Sequence, residues 1–224
     1  MAEGGILVVD VGGNNIKIKH SGSDERRKTP SGPTLTPSEM VAKVKDLARG
    51  WSFERITVGC PAPVKNQRLA IEPVNLGKGW AGFDFETAFG IPTRLVNDAA
   101  MQALGSYEGG KMLYLGLGTG LGAALVVDGM VLGLEVAHLP YRRGFTYEDC
   151  VGSRGLVRMG PKRWEKAVHD TVAKLRFGLV ADYVVLGGGN TKRLKKLPAH
   201  CRPGSNENAF RGGFRLWEGV RIPE

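Results

Sequence analysis

The stretch that decides the fold is residues 5–19, GILVVDVGGNNIKIK. Residues 5–11 are apolar apart from Asp10, which is typical of a buried strand. Gly-Gly-Asn-Asn then marks a turn, and residues 16–19 alternate apolar and polar side chains, which predicts an antiparallel return strand. This stretch is therefore predicted to be a β-hairpin with a carboxylate, Asp10, near the end of its first strand.

The same order of elements returns in the second half of the chain. Residues 112–117 form an apolar strand, GTGLG at 118–122 is a glycine turn, and residues 123–127 form a second apolar strand. Asp128-Gly129 closes that strand with a dipeptide typical of hairpins. Two strand–turn–strand units in one chain predict an internal structural repeat, and hence two α/β lobes.

Other segments supply the rest of each lobe. Strands are predicted over 55–60, 93–96 and 183–186, and helices over 37–49, 99–107 and 161–177. The first helix begins with a capping box from Thr36 to Glu39. The polar, Pro- and Gly-rich residues 21–37 are expected to be mostly loop. The predicted first lobe spans residues 1–109 and regains 206–224, and the predicted second lobe spans 110–205.

The composition limits the kind of partner. The 224-residue chain has a net charge of +9, and 42% of its residues are hydrophobic, which is enough for a sizeable core. The charge favours a polyanionic partner unless it merely solvates the surface. Cys60, Cys150 and Cys201 stand too far apart for a zinc or disulfide motif. With no signal sequence and no run of about 20 apolar residues, we expect a cytoplasmic location and no membrane partner.

The two glycine turns are candidate phosphate sites. Glycines after a strand let backbone N–H groups approach phosphate oxygens, and a carboxylate such as Asp10 can hold a hydrated Mg²⁺ beside them. The alternative is that both are ordinary hairpin turns. Because the second turn repeats the setting of the first, we favour a phosphate chain held from both sides.

A carboxylate and several hydrogen-bonding side chains are candidates for acceptor chemistry. Asp98 follows a predicted strand, where α/β sheets bind ligands, and phosphoryl transfer to an alcohol needs a carboxylate that takes the hydroxyl proton. Its alternative role is to cap the next helix. Glu135, His138 and Glu148 are suited to sugar hydroxyls, although each is also compatible with a solvated surface.

Seven segments in order resemble the ROK sugar kinases: DVGGNNIK, NLGKGW, LVNDA, GTGLG, EVAH, EDCVGSRGL and VVLGGGN. Within that family, the sequence is most similar to the bacterial polyphosphate glucokinases, which also lack a metal site. The resemblance implies the two-lobed actin-like ATPase (ribonuclease H-like) fold with a central cleft. The family's Cys-rich zinc motif is missing, Ala137 replaces a Gly, and Asn14 stands where Thr or Ser is usual.

The resemblance also implies a role for each candidate residue. Asp98 would deprotonate the sugar hydroxyl, and Asp10 would hold Mg²⁺ through water. The sugar would be bound by Asn97, Glu135, His138 and Glu148. The donor would be bound by a first loop of Asp10, Gly12, Gly13, Asn14 and Lys17, by a second of Gly118, Thr119 and Gly120, and by the flanking Gly187, Gly188 and Gly189.

The activity implied is a hexose kinase, with glucose as first choice, Mg²⁺ as cofactor and no structural zinc. Basic residues after the second turn predict a track for polyphosphate, used as donor alone or beside ATP. These residues are Arg142, Arg143, Arg154, Arg158, Lys162, Arg163, Lys192, Arg193, Lys195 and Lys196. Left open are another hexose, such as mannose or an N-acetylated sugar, and a non-catalytic sugar-binding regulator. We expect no nucleic-acid partner, because aromatic and basic residues do not interleave. The oligomeric state stays open, with a homodimer as one option.

Overall fold

A computed structural model describes residues 4–220 of the chain. The first half contains β1 (Ile6–Val11), β2 (Asn15–His20), β3 (Arg26–Pro30), α1 (Pro37–Leu47), β4 (Arg55–Cys60), β5 (Val64–Lys65), β6 (Arg68–Leu69), α2 (Phe85–Phe89), β7 (Thr93–Asn97) and α3 (Asp98–Ser106). The second half contains β8 (Lys111–Leu117), β9 (Leu121–Val127), β10 (Met130–Leu134), β11 (Pro140–Arg142), β12 (Phe145–Thr146), α4 (Tyr147–Val151), α5 (Ser153–Gly178), β13 (Tyr183–Gly187), β14 (Cys201–Pro203) and α6 (Glu207–Arg215).

Two five-stranded mixed sheets organise these elements. The first has the order β3-β2-β1-β4-β7 and the second the order β10-β9-β8-β13-β14. Each sheet contains an antiparallel hairpin, β1–β2 or β8–β9. The first strand of each hairpin also pairs, on its other side, with a parallel strand, β4 or β13. The predicted internal repeat and both predicted hairpins are therefore confirmed.

Some boundaries differ from the predictions. Residues 21–37 were expected to be mostly loop, which is wrong for Arg26–Pro30, because these residues pair with β2 as an edge strand. Their side chains alternate between exposed and half-buried, so the strand lacks the apolar signal of an interior one. The predicted helix over 161–177 is confirmed, but α5 already begins at Ser153 and breaks at Gly160, which has φ +73°.

Local chemistry explains where the helices begin. Thr36 and Glu39 form the predicted capping box, with the Thr36 N–H donating to Glu39 Oε2 at 2.8 Å. Thr146 caps α4 in the same way through Asp149. These caps satisfy N–H groups that have no partner inside a helix.

Three hydrophobic clusters stabilise the molecule. One covers the first sheet around Val9, Ile56 and Trp80, and another covers the second sheet around Leu115 and Trp164. The third cluster joins residues of both sheets with α3 and α6, and includes Val8, Met101, Tyr114, Val126 and Phe210. The helix that begins at Asp98 is thus packed between the two sheets.

Helix α6 returns from the second sheet to the first. The buried Thr57 hydroxyl on β4 donates to the Gly213 carbonyl at 2.8 Å. Gly105 on α3 lies so close to α6 that a Cβ there would overlap the Asn208 backbone. These contacts support a division that we propose, with 1–109 and 206–224 forming one lobe and 110–205 the other; residues 1–3 and 221–224 lie outside the described part. None of the helices within residues 4–220 is long and apolar enough to cross a membrane.

Candidate active site

The carboxyl ends of three parallel strands bring the acidic candidates to one edge of the first sheet. In the register of the sheet, Asp10 on β1 pairs with Gly59 on β4, and Cys60 on β4 pairs with Asn97 on β7. Asp10 and Asn97 are therefore two strands apart, a separation of roughly 10 Å between backbones. The predictions that Asp10 lies near the end of the first strand, and that Asp98 follows the carboxyl end of a core strand, are confirmed.

Asp98 is the first residue of α3, and Asn97 is the residue that caps this helix. Asn97 Oδ1 accepts hydrogen bonds from the N–H groups of Ala99 (3.0 Å) and Ala100 (3.2 Å). Asn97 Nδ2 donates to the Ala62 carbonyl at 3.3 Å, which leaves its second N–H for a ligand. Since Asn97 supplies the cap, the alternative in which Asp98 serves only as the cap is wrong.

The surroundings of Asp98 favour its neutral form. Burial is the largest cause and, together with the nearby charge of Asp10, raises the pKa of Asp98 to about 7. The Ala99 N–H, which donates to Asp98 Oδ1 at 2.8 Å, opposes that shift, and Glu135 adds to it. A carboxyl group with a pKa near neutrality can both accept and release a proton under physiological conditions.

Asp10 is paired with a lysine across the first hairpin. Lys17 stands directly opposite Asp10 in the register, and its Nζ donates to Asp10 Oδ2 at 2.9 Å. The Asp10 side chain is 13% exposed, whereas the Lys17 side chain is 43% exposed. A single, slightly accessible carboxylate fits a Mg²⁺ ion that keeps most of its waters and takes phosphate oxygens as other ligands.

The first glycine turn has two unused N–H groups. Gly12 N–H donates to the Asn15 carbonyl at 3.0 Å, so this predicted donor-binding group is already engaged within the turn. Ser31 Oγ fixes the turn by donating to the Gly12 carbonyl at 2.6 Å. Within residues 4–220, the N–H groups of Gly13 and Asn14 have no acceptor and are free for a phosphate.

The second glycine turn is held by its carbonyl oxygens. The Gly118 carbonyl accepts from Ser153 Oγ (3.0 Å) and from Asn190 Nδ2 (2.8 Å). In the described part of the chain, the N–H groups of Thr119 and Gly120 have no protein acceptor. Each of the two turns therefore offers two free backbone N–H donors.

Close packing explains why two of the three residues 187–189 are glycines. A Cβ on Gly187 would lie 2.7 Å from Tyr114 Cζ, and a Cβ on Gly188, which has φ +83°, would overlap the Leu117 backbone. A Cβ on Gly189 would meet nothing within 4 Å. Of these three predicted donor-flanking residues, only Gly189 borders open space.

The sugar candidates lie around the second turn. Glu148 is at the start of α4, and its Oε2 accepts from the Leu121 N–H at 3.4 Å. Partial desolvation of its carboxyl raises the pKa of Glu135, although the residue as a whole is exposed; His138 lowers that pKa and Glu148 raises it, so Glu135 is within electrostatic range of both. Glu135 precedes a short 3-10 helix, Val136–His138, and both it and His138 are exposed.

Sequence reasoning missed four residues that shape the site. Asn75 packs against the first turn, and a Cβ added to Gly13 would lie 3.1 Å from the Asn75 Cβ. Ser153 and Asn190 fix the second turn, and the Tyr114 hydroxyl donates to Gln102 Oε1 at 2.8 Å. Asn75, Ser153 and Asn190 lie within the segments that resemble the ROK family, but Tyr114 acts through a contact that spacing does not reveal. Among residues 4–220, no three His, Cys, Asp or Glu side chains are grouped as metal ligands would be.

Comparison with solved structures identifies the fold. The chain superposes on the inorganic polyphosphate/ATP-glucomannokinase from Arthrobacter sp. strain KM with a TM-score of 0.80, 22% identity, and coverage of 94% of this chain and 97% of that one. A ROK family glucokinase from Streptomyces griseus, in complex with glucose and AMPPNP, gives a TM-score of 0.72 at 15% identity, covering 95% and 99%. These likenesses confirm the expected two-lobed actin-like ATPase (ribonuclease H-like) fold.

Comparison with known sequences identifies the family. The chain is 29% identical to an N-acetylmannosamine kinase of Citrobacter koseri over 142 residues, which cover 56% of this chain and 49% of that protein. The chain thus matches about half the length of the curated relatives. Residues 6–136, more than half of the chain, match the model of the ROK family. The chain therefore belongs to the ROK family.

Proposed function

We propose that this protein phosphorylates a hexose, with glucose as the first choice, at the 6-hydroxyl. The proposal is supported above all by Asp98, a carboxyl group with a pKa of about 7 that follows the carboxyl end of β7 and lies within electrostatic range of Asp10 and of the sugar candidate Glu135. A base with that pKa is half ionised near neutral pH and can take the proton of an attacking alcohol. Structural likeness to a glucokinase crystallised with glucose supports this choice.

The roles that we propose follow from the contacts of each residue. As the sugar oxygen attacks the terminal phosphorus, Asp98 accepts the hydroxyl proton, and the leaving phosphate keeps the electrons of the broken P–O bond. Glu135, His138 and Glu148 hold other sugar hydroxyls. Asn97 orients Asp98 by capping α3, and its remaining N–H is available to the sugar.

The donor is proposed to lie between the glycine turns. Gly13, Asn14, Thr119 and Gly120 offer free N–H groups to its phosphate oxygens, and Lys17 adds a positive charge. Bound Mg²⁺ would neutralise charge on the donor phosphates, and Asp10 would hold it through water. Closure of the two lobes would exclude water, which otherwise competes with the sugar as acceptor.

The choice of sugar and donor has two candidate answers. The structural relative from Arthrobacter is named for polyphosphate, ATP, glucose and mannose, which supports a glucokinase that uses polyphosphate and ATP. The curated relatives are N-acetylmannosamine kinases, which favours an N-acetylated sugar as the alternative. A non-catalytic regulator remains the third candidate, but a sugar-binding protein has no need for a carboxyl group poised near neutral pH.

One assay separates these candidates. Formation of sugar 6-phosphate is measured with glucose, mannose and N-acetylmannosamine, each with ATP and with polyphosphate in separate reactions containing Mg²⁺. We expect turnover of glucose with polyphosphate and with ATP. Turnover restricted to N-acetylmannosamine would select the alternative, and sugar binding without any turnover would select the regulator.

Location and assembly are also proposals. Cys60, Cys150 and Cys201 are unpaired, which fits a reducing compartment such as the cytoplasm. A homodimer is one assembly that we consider, and sedimentation at several protein concentrations would distinguish it from a monomer.

A further inference from the structure

A basic groove lies on α5, beyond its break at Gly160. The groove has a volume of about 640 Å³ and is lined by Lys162, Arg163, Glu165, Lys166 and His169. The three cationic side chains are exposed. No Phe, Tyr or Trp lines this groove, and His169 is the one ring among its lining residues, so it offers charge with little surface for ring stacking.

A second basic segment is fixed against the same part of α5. Glu165 Oε1 accepts hydrogen bonds from the backbone N–H groups of Lys195 (2.9 Å) and Lys196 (3.0 Å). His169 Nε2 lies 3.0 Å from the Lys196 carbonyl oxygen. The acidic side chain of the groove is therefore used to hold a basic segment in place, and the two sets of cations are neighbours.

These cations differ from three arginines that also follow the second glycine turn. Arg142 pairs with Asp170 at 2.9 Å, Arg154 pairs with Glu148 at 3.4 Å, and Arg158 donates to the Asp149 carbonyl. By contrast, seven cations of the groove and its neighbouring segment form no ion pair within residues 4–220: Lys162, Arg163, Lys166, Lys192, Arg193, Lys195 and Lys196. A concentration of unpaired like charges attracts a polyanion.

The basic surface continues to the second glycine turn. Asn190 Nδ2 donates both to the Gly118 carbonyl (2.8 Å) and to Ser153 Oγ (3.0 Å). Asn190 belongs to the 3-10 helix Gly189–Arg193, which also carries Lys192 and Arg193. A chain that starts at the glycine turn can thus follow this helix to Lys195, Lys196 and the groove.

We infer that the groove of Lys162, Arg163 and Lys166, with the adjoining 192–196 segment, binds the distal phosphates of inorganic polyphosphate whose end is held at the second glycine turn. This inference rests on the proposed function, because it assumes that the turn holds the donor. A linear polyanion fits better than a nucleic acid, since single-stranded nucleic acids are bound largely by stacking on aromatic side chains. A short donor would end before it reaches the groove.

The test uses a triple variant, Lys162→Gln/Arg163→Gln/Lys166→Gln, and a charge-matched control, Lys28→Gln/Lys45→Gln/Arg211→Gln, whose residues are exposed and lie on the first lobe or α6. Binding of long-chain polyphosphate and of tripolyphosphate is measured by calorimetry without sugar. We expect the groove variant to bind the long chain about tenfold more weakly, as loss of three exposed charge contacts predicts. Tripolyphosphate binding should be unchanged, and the control should lose less than twofold.

Four outcomes of the binding experiment would overturn the inference. Equal losses in the two triple variants would mean that only the overall charge matters, and an equal loss for tripolyphosphate would place the groove beside the terminal phosphates. Absence of polyphosphate binding, or equal competition by a single-stranded oligonucleotide, would also contradict it. Binding is measured without sugar, so the two proposals can fail separately. Wild-type protein that binds the long chain but phosphorylates no sugar would contradict the proposed function, and the inferred binding of polyphosphate in the groove would still hold.

Discussion

The carboxylate of Glu148 fills the space that a side chain on residue 120 would need. A Cβ on Gly120 would lie 2.9 Å from Glu148 Cδ and closer still to its Oε2. Glu148 is a proposed sugar contact and Gly120 belongs to the proposed donor turn, so the two sites share a wall. A change at one of these residues is therefore expected to affect both substrates.

Replacement of Gly120 by alanine tests that shared wall. The new methyl group would displace the Glu148 carboxylate, so we expect Gly120→Ala to raise the KM for the sugar by about tenfold, a loss of roughly 1.4 kcal/mol. Gly133→Ala on β10 is the control, because a Cβ there meets nothing within 4 Å. Steady-state kinetics measure the effect, and an unchanged sugar KM in Gly120→Ala would separate the two sites.

The glycines after β13 are expected to differ in their effect on stability. Gly187→Ala would force a methyl group into the ring of the buried Tyr114, and such overpacking costs about 1–3 kcal/mol of unfolding free energy. Gly189→Ala adds a methyl group in open space and should change stability by less than about 0.5 kcal/mol. Urea unfolding of both variants measures the difference, and equal stabilities would contradict the packing described for Tyr114.

The pH dependence of the reaction follows from the pKa of Asp98. That pKa is about 7, raised chiefly by burial, and the carboxyl must be ionised to accept a proton. We expect kcat/KM to fall by about tenfold for each pH unit below 7 and to level off above it. A profile measured from about pH 5.5 to about pH 9 gives the answer, and a flat profile across neutrality would argue against a carboxyl base with this pKa.

Removal of divalent metal is expected to abolish activity. The donor phosphates carry several negative charges, which Mg²⁺ neutralises during phosphoryl transfer, while Asp10 is itself paired with Lys17. Excess EDTA should therefore reduce turnover to background, and added Mg²⁺ should restore it. Full activity in EDTA would mean that the protein cations alone suffice. Elemental analysis is expected to find no zinc in the purified protein.

Much of the fold was predictable because its interior strands carry an unambiguous signal. The run of apolar residues in β1 and the alternation in β2 indicated the first hairpin, and GTGLG with Asp128-Gly129 indicated the second. Strand β3 was missed because RRKTP contains no apolar side chain of the kind that marks a buried strand, and only Thr29 favours strand conformation. Its strand conformation depends on pairing with β2, which is a tertiary interaction.

The site was predictable to the extent that local sequence determines it. Asp98 was found because it follows a strand and precedes a helix, and both glycine turns were found by their repetition. The reason for Gly187 was not predictable, because it depends on the ring of Tyr114, which lies more than 70 residues earlier in the chain. Likewise, only the structure separates the paired Arg142 and Arg154 from the unpaired lysines of the groove.

The role of Asp98 as general base is tested most directly by the turnover number of Asp98→Asn, measured with the sugar and donor that the wild-type protein uses. The amide keeps the shape of the carboxyl group but cannot accept the hydroxyl proton. We expect a kcat at least about 10²-fold lower, the usual scale of general-base catalysis, with the dissociation constant for the sugar nearly unchanged by calorimetry. Asp46→Asn, at an exposed position on α1, is the matched control and should turn over normally. A near-normal kcat in Asp98→Asn would show that Asp98 is not the base.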